Sequence, residues 1–307
     1  MASELIFIIG GTACGKSAVG LELARRLEAE IVACDSMKVY RRMDIGTAKP
    51  SAAQQREIRH HLIDVVEPSD SFSAAAYVEL ADRAIAEIRG RGRPVVVVGG
   101  TALYLMGLAR GLFEGPGQDP EFRRRLRERV AREGAEAVHA ELRAVDPDAA
   151  GRIHPRDTRR VERALEVHAL TGQTISSLQT QWTSTTRRHG GRFIGLRWEK
   201  SAHHRRINAR VKRMIDAGLV DEVRSLRAEP KPLSRQAAQA VGYAEIIAYL
   251  AGEMDLEQAV ERIKINSRRL AKQQRTWFRR FPDVEWIDLN ESSSAQEVAE
   301  QLIASSR

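Results

Sequence analysis

Cysteine is almost missing from this chain: Cys14 and Cys34 are the only two among 307 residues. Two thiols cannot build a cysteine-based zinc site. They do not make a disulfide framework either, and both read as small buried thiols. Long apolar runs are also missing. The longest, around Pro94–Val98, falls far short of the ~18 residues that would span a bilayer and suits a buried strand. No signal peptide is expected, because a glycine loop and Lys16 occupy the place where one would lie. There is no internal repeat, no low-complexity tract and no Asn-Lys-x-Asp guanine motif, which weakens a reading as a nucleotide-dependent switch. With 43% apolar and 29% charged residues, the composition is that of an ordinary soluble globular protein. A cytoplasmic location and a monomer are the working expectations, the oligomeric state not being read from the sequence.

One stretch organises the rest. Leu5–Ile9 is an apolar run suited to a buried parallel strand, and it leads into Gly10-x-x-x-x-Gly15-Lys16-Ser17. This is the spacing of a phosphate-binding loop (Gly10, Gly11, Thr12, Ala13, Cys14, Gly15, Lys16, Ser17). The glycines let successive N–H groups curl inward toward a polyphosphate. Lys16 supplies a point charge, and the Ser17 hydroxyl is the candidate metal ligand, for Mg²⁺. A helix over 16–28, apolar at 19, 23 and 27, aims its positive end at the anion.

Strand–helix alternation continues through Glu30–Ser36, a strand at His61–Val66, a helix from Ser73 to Gly90 and a strand at Pro94–Val98. The expected fold is therefore α/β, with a P-loop-type, mostly parallel sheet covered by helices on both faces. Asp35 and Ser36, at a strand's carboxyl end, should lie near the loop. The fourth strand ends in Gly99-Gly100-Thr101 without an aspartate, which argues against a motor or simple ATPase. Gly115-Pro116-Gly117 then breaks the pattern. Residues 115–190 read as an inserted all-helical domain between core segments 1–114 and 191–307. Its helices are expected at Phe122–Glu133, Ala135–Val145 and Thr158–Leu170. Later come a strand at Phe193–Trp198, helices at Ala202–Ala217, Val220–Ala228, Gly242–Leu250 and Leu256–Phe281, and a late strand at Val284–Leu289.

The net charge of +8 is unevenly spread. Residues 187–213 hold ten Arg or Lys against Glu199 alone, and 262–280 hold eight against no acid, which leaves the remainder acidic. Two basic blocks on an otherwise acidic chain point to a polyanion such as RNA. The arginines at 123, 124, 125, 127, 129 and 132 are too many for one helix face, so some should reach solvent or a partner. Trp277 and Phe278, among basic residues, could stack on bases or belong to the core.

The ordered series of motifs resembles the tRNA dimethylallyltransferases, also called isopentenyl-tRNA transferases, along nearly the whole chain. It runs from the glycine loop through Asp35-Ser36-Met37-Lys38-Val39-Tyr40-Arg41 and Met43-Asp44-Ile45-Gly46-Thr47-Ala48-Lys49-Pro50. His60-His61-Leu62-Ile63-Asp64 and Gly99-Gly100-Thr101-Ala102-Leu103-Tyr104-Leu105 follow, then Arg163-Ala164-Leu165-Glu166-Val167, Thr171-Gly172, Gly242-Tyr243 and Ala271-Lys272-Gln273-Gln274 with Thr276-Trp277. The resemblance implies transfer of a dimethylallyl group from dimethylallyl diphosphate to N6 of adenine 37 in tRNA, with Mg²⁺, and an insertion that grips the anticodon arm. Asp35 would be the general base. Thr101 would sit beside the diphosphate and the target base, and Lys16 would take charge on the leaving group. Contacts to tRNA would come from Asp35, Ser36, Met37, Lys38, Thr101, Arg123, Arg159, Arg160, Val161, Glu162 and Arg163. The chain departs from the family's common residues at Cys14, Lys38, Ala102 and Gln273. A P-loop kinase of a nucleotide or small molecule is the alternative, although it leaves the basic blocks and the insertion unexplained.

Overall fold

The computed structural model describes residues 5–113, 115–179, 188–279, 281 and 283–305. In chain order it has β1 (Leu5–Gly10), α1 (Lys16–Leu27), β2 (Glu30–Cys34), α2 (Ala52–Glu57), β3 (His60–His61), α3 (Ala74–Gly90), β4 (Val95–Gly99) and α4 (Ala102–Arg110). There follow α5 (Pro120–Glu133), α6 (Ala135–Val145), α7 (Pro147–Arg152), α8 (Thr158–Thr171) and α9 (Ile175–Leu178). The chain closes with β5 (Arg192–Trp198), α10 (Lys200–Asp216), α11 (Leu219–Arg227), α12 (Arg235–Ala238), α13 (Tyr243–Leu250), α14 (Leu256–Phe278), β6 (Val284–Leu289) and α15 (Ala295–Ala304). The fold separates into two units, Met1–Ala109 with His189–Arg307, and Arg110–Arg188.

In the first unit all six strands pair in parallel, in the order β3-β2-β4-β1-β5-β6. β1 is buried along its whole length, which is why it reads as a continuous apolar run. Alternate side chains still go to opposite faces. Ile6 and Ile8 pack with Leu21 and Leu23 of α1 and Val298 and Leu302 of α15. Phe7 faces the other way, opposite Phe193 of β5 in the register, and the two rings stack with centroids 4.1 Å apart. Phe278 is fully buried and leans on Phe281, so of the two roles open to it the core is the one it has.

The sheet's carboxyl end is shaped by one close approach. A Cβ on Gly99 would lie 1.9 Å from the carbonyl oxygen of Cys34. Glycine lets β4 come close enough for Gly100 and Thr101 to donate both N–H groups to that oxygen, each at 3.2 Å. This brings Thr101 beside the end of β2. Ala102, which opens α4, is not among the residues with positive φ.

The strand expected over 61–66 is a correction. β3 ends at His61, because Leu62 (φ 62°) and Asp64 (φ 54°) adopt the left-handed conformation. The chain turns there to pair with the segment after β2. Asp64 N–H donates to Lys38 O, Val65 and Val66 donate to Val39 O, and the Asp64 carboxylate takes Lys49 Nζ at 2.6 Å.

Among its described residues the second unit's elements are all helices, packed around Leu126, Val138, Leu142, Val161 and Leu165. Asp119 caps α5 by accepting from Glu121 and Phe122 N–H, with Pro120 at the first helical position. Its arginines are largely paired within the unit. Arg123 makes a two-pronged ion pair with the buried Glu166, and Arg127 does the same with Glu162. Arg124, Arg129 and Arg132 bond Glu121 and Glu128, Glu133 and Glu141, and Glu133 respectively.

Candidate functional site

The loop of residues 10–17 joins β1 to α1, with Gly10 (φ 146°) and Gly15 (φ 101°) both in conformations that favour glycine. Its own Lys16 and side chains from much later in the sequence pin its carbonyls. Lys16 Nζ donates to Gly11 O at 2.6 Å, and a His203 ring nitrogen lies 2.8 Å from Thr12 O. Arg206 Nε donates to Ala13 O at 3.2 Å, and Trp198 Nε1 to Cys14 O at 3.0 Å. The Arg206 guanidinium also lies over the Trp198 ring, 4.1 Å from its centre. In a trans peptide plane the N–H points away from the preceding C=O, so pinning these carbonyls turns the intervening N–H groups the other way. Among the described residues no acceptor meets the N–H of Ala13, Gly15, Lys16 or Ser17. Unpaired N–H groups where a helix begins form an anion site.

Gln274 of α14 locks this loop to the neighbouring strand end. Its Oε1 accepts from Thr12 N–H at 2.7 Å, and its Nε2 donates to Gly100 O at 2.9 Å. Thr101 in turn accepts from Ser36 N–H at 2.9 Å through its hydroxyl. Asp35 Oδ1 accepts from Met37 N–H at 2.9 Å and Lys38 N–H at 3.4 Å. Loop, Thr101 and Asp35 are thus tied into one constellation across the ends of β1, β4 and β2.

Two cavities adjoin there. The larger, about 1000 Å³, is lined by Lys16, Ser17, Arg206, Arg210 and Arg213, with Lys49 and Pro50 across from them. The smaller, about 100 Å³, holds Asp35 and Met37 among apolar Ile207, Val211, Ile263 and Leu270. Ala13, Arg210 and Met214 line both.

Charge is distributed unequally. Among the described residues Lys16, Lys38, Arg206, Arg210 and Arg213 make no ion pair with a carboxylate. Burial lowers the pKa of Arg210 and pushes that of Lys38 down to about 8, opposed by Asp35 and helped by Arg210, Lys16 and Lys49. Lys49 is matched by Asp44 and Asp64. Burial also lowers the pKa of His203, favouring the neutral imidazole, and its bond to Thr12 O partly offsets this. Three other charges of the first basic block are neutralised: Arg192 pairs with Glu285, Arg197 with Asp288 and Arg205 with Glu291. In the second block Lys264 pairs with Glu261, but among the described residues Arg268 and Arg269 bond Asn208 and Asn266 and no carboxylate, and Lys272 and Arg275 line a groove with them. Arg187 and Arg280 of these blocks lie outside the described residues.

The sequence-expected residues of the helical unit do not all face outward. Val161 is 2% exposed, and Glu162 is buried beneath Arg123 and Arg127. Arg163 is tied to Glu166 and to the Pro116 carbonyl. Arg160 is exposed, 3.4 Å from Asp157. Sequence reasoning missed Trp198, His203, Arg206 and Arg210. For the last three a shared face was legible, since 203, 206, 210 and 213 recur at helical spacing in α10, but not what that face meets; Trp198, at the end of β5, gave no such signal.

Among known proteins, the family model described as IPP transferase matches residues 38–281. The tRNA dimethylallyltransferase of Geobacter metallireducens is 47% identical over 286 residues, 93% of each chain. That of Geobacillus kaustophilus is 42% identical over 98% of this chain and 96% of its own. The solved tRNA isopentenylpyrophosphate transferase of Bacillus halodurans aligns with TM-score 0.71 and 39% identity, over 98% of this chain and 96% of its own. A eukaryotic dimethylallyltransferase, solved in structures described as acting on tRNA, aligns with TM-score 0.80 and 26% identity, over 99% of this chain and 80% of its own. A parallel sheet ending in a caged glycine loop, matched at this identity over this much of its length, decides the family: the chain belongs to the IPP transferases.

Proposed function

We propose that the chain transfers a dimethylallyl group from dimethylallyl diphosphate to N6 of adenine 37 in tRNA, releasing diphosphate. The observation that carries this reading is the cluster of unpaired N–H groups and cations at the glycine loop, tied through Gln274 to Thr101 and Asp35. The diphosphate would lie against the N–H groups of Gly10–Ser17, with Lys16, Arg206, Arg210 and Arg213 around it. The carbon–oxygen bond of the donor breaks, the oxygen keeps its electron pair, and the cations take up that charge. The carbon–nitrogen bond forms at the exocyclic amine, whose proton passes to Asp35. Asp35 suits this role because Oδ1 is held by the Met37 and Lys38 N–H groups, which fixes the carboxylate while Oδ2 stays available. Apolar Ile207, Val211, Ile263 and Leu270 beside it suit the allyl group and exclude water that would compete for it.

Ser17 presents an exposed hydroxyl at the larger cavity, and among the described residues no cluster of His, Cys, Asp or Glu is arranged to hold a metal. A hard oxygen donor with few protein partners fits Mg²⁺, which binds largely through substrate phosphates and water. When bound, Mg²⁺ would supply further neutralisation of the leaving diphosphate.

RNA contacts are proposed separately in each unit, from Arg268, Arg269, Lys272 and Arg275 in the first, and from Arg159 and Arg160 in the second. Ser36, Met37 and Thr101 would meet the target nucleotide. The paired Arg123 and Arg163, with Val161 and Glu162, would hold up the second unit's contact face from within. The enzyme is proposed to act as a cytoplasmic monomer, and among the described residues no helix is long and apolar enough to cross a membrane. Incubating the protein with dimethylallyl diphosphate, Mg²⁺ and unmodified tRNA, then weighing the nucleosides, should show a prenylated adenosine. Lys16→Ala should weaken diphosphate binding about 10–100-fold, the worth of one hydrogen bond to a charged group. Transfer to no nucleoside, or wild-type donor affinity in the variant, would overturn the assignment.

A further inference from the structure

Lys38 was expected, from the resemblance, on the tRNA side of the site. Its surroundings argue otherwise. The backbone is fixed at both ends: Lys38 N–H bonds Asp35 Oδ1 at 3.4 Å, and Lys38 O accepts from Asp64 N–H at 3.2 Å. From there the side chain runs back to the start of α1, where Nζ lies 3.5 Å from Ser17 Oγ. The Ser17 N–H has no acceptor among the described residues. The neighbouring charges are Lys16, Arg210 and Lys49 on one side and Asp35 on the other. Among the described residues, of these cations only Lys49 has its own carboxylates, Asp44 and Asp64. Three cations that share one carboxylate repel one another, and an ammonium drawn out of water pays a further desolvation cost. A multivalent anion at the loop would reverse the sign of that interaction.

We propose that Lys38 is a diphosphate-binding residue of this chain, its ammonium sharing with the metal the neutralisation of the donor's phosphates beside Ser17. The proposal rests on the donor-site reading above and adds a ligand to it. Two consequences follow from an ammonium at this place. Part of the donor's charge is met without Mg²⁺, so diphosphate should bind measurably in a chelator. Removing the ammonium should make binding depend more steeply on the metal.

The test titrates inorganic diphosphate into the full chain by calorimetry, in excess chelator and in Mg²⁺, for wild type, Lys38→Gln, Lys38→Met, Lys38→Arg and Lys16→Ala. Donor-free tRNA affinity is measured in parallel. The proposal expects Lys38→Gln and Lys38→Met each to lose about tenfold or more in metal-free diphosphate affinity, as for a charge-assisted contact. The loss should be smaller with Mg²⁺, Lys38→Arg should restore part of it, and tRNA affinity should stay unchanged. Unchanged diphosphate affinity, with or without a fall in tRNA affinity, overturns it. If Lys16→Ala also binds diphosphate as wild type does, the donor-site reading fails and takes the proposal with it. A loss with Lys16→Ala but none with the Lys38 variants rejects Lys38 alone.

Discussion

Replacing Asp35 by asparagine separates the two jobs that the structure gives this residue. As a structural group, Asp35 Oδ1 accepts from Met37 N–H at 2.9 Å and from Lys38 N–H at 3.4 Å, closing the turn that follows β2. An asparagine keeps an oxygen at that place, so Asp35→Asn should retain most of the turn, whereas Asp35→Ala should cost about 1 kcal/mol, the usual worth of such a cap. As a base, the carboxylate takes the proton of the adenine amine, and an amide cannot. A positioned general base contributes roughly 10²–10⁴-fold, or about 3–5 kcal/mol of barrier at 1.36 kcal/mol per decade. Asp35→Asn should therefore fold almost as well as wild type and lose at least a hundredfold in the chemical step, a fall dominated by kcat. The assay is single-turnover transfer at saturating tRNA and donor, read by nucleoside mass, with thermal unfolding of both variants alongside. A near-wild-type rate for Asp35→Asn would remove the residue from the chemistry. It would leave the amine activated by position alone.

The glycine loop was legible because its requirements are local: glycine where the backbone turns, then Lys16 and Ser17, all within Gly10–Ser17. What holds the loop was not. Trp198, His203, Arg206 and Gln274 reach it only after β5 has paired with β1 and α10 and α14 have packed nearby, and no local pattern encodes that meeting. The arginines show a second limit. Counting charge cannot distinguish Arg123, which is spent on a buried Glu166, from Arg210, which has no carboxylate partner among the described residues. The deciding acids, Glu162 and Glu166, lie on a different helix from Arg123 and Arg127. The strand misread over 62–66 shows a third. Its apolar residues satisfied the pattern, but the left-handed turns at Leu62 and Asp64 are imposed by contacts to Lys38, Val39 and Lys49. α2 escaped notice because it is six residues long and buries none of them; its stability rests on the capping box of Ser51 and Gln54.

The remaining predictions follow from these distinctions. Gln274→Leu leaves Thr12 N–H and Gly100 O without their partner, so the chain should lose roughly 2–4 kcal/mol by denaturant titration, and diphosphate affinity should fall with the loop's order; an unchanged affinity would mean that the loop stands without its clamp. Neutralising Arg268, Arg269 and Lys272 together should weaken tRNA binding and lower the salt slope by roughly 0.7–0.9 for each phosphate left without its cation; an unmoved slope would make this groove a solvated face. The last concerns Glu166, which has no exposed side-chain surface. Burial raises its pKa, but Arg123, Arg163 and the Asp119 N–H outweigh burial and hold it below the ordinary 4.5. A carboxyl group lowered in the native state stabilises it at pH above that ordinary value, and the contribution is lost as pH falls through the lowered one. Glu166→Gln leaves Arg163 without its carboxylate and Arg123 with only the more distant Glu162, 3.6 Å away, which should cost roughly 3 kcal/mol at pH 7. In the full chain, hydrogen exchange across 115–179 should then be faster at pH 7 in the variant, and the difference should narrow as pH falls below about 4.5, where the carboxyl of the unfolded wild-type chain begins to take up its proton. A gap of constant size from pH 7 to pH 3 would show that the ion pair is not what holds α5 to α8.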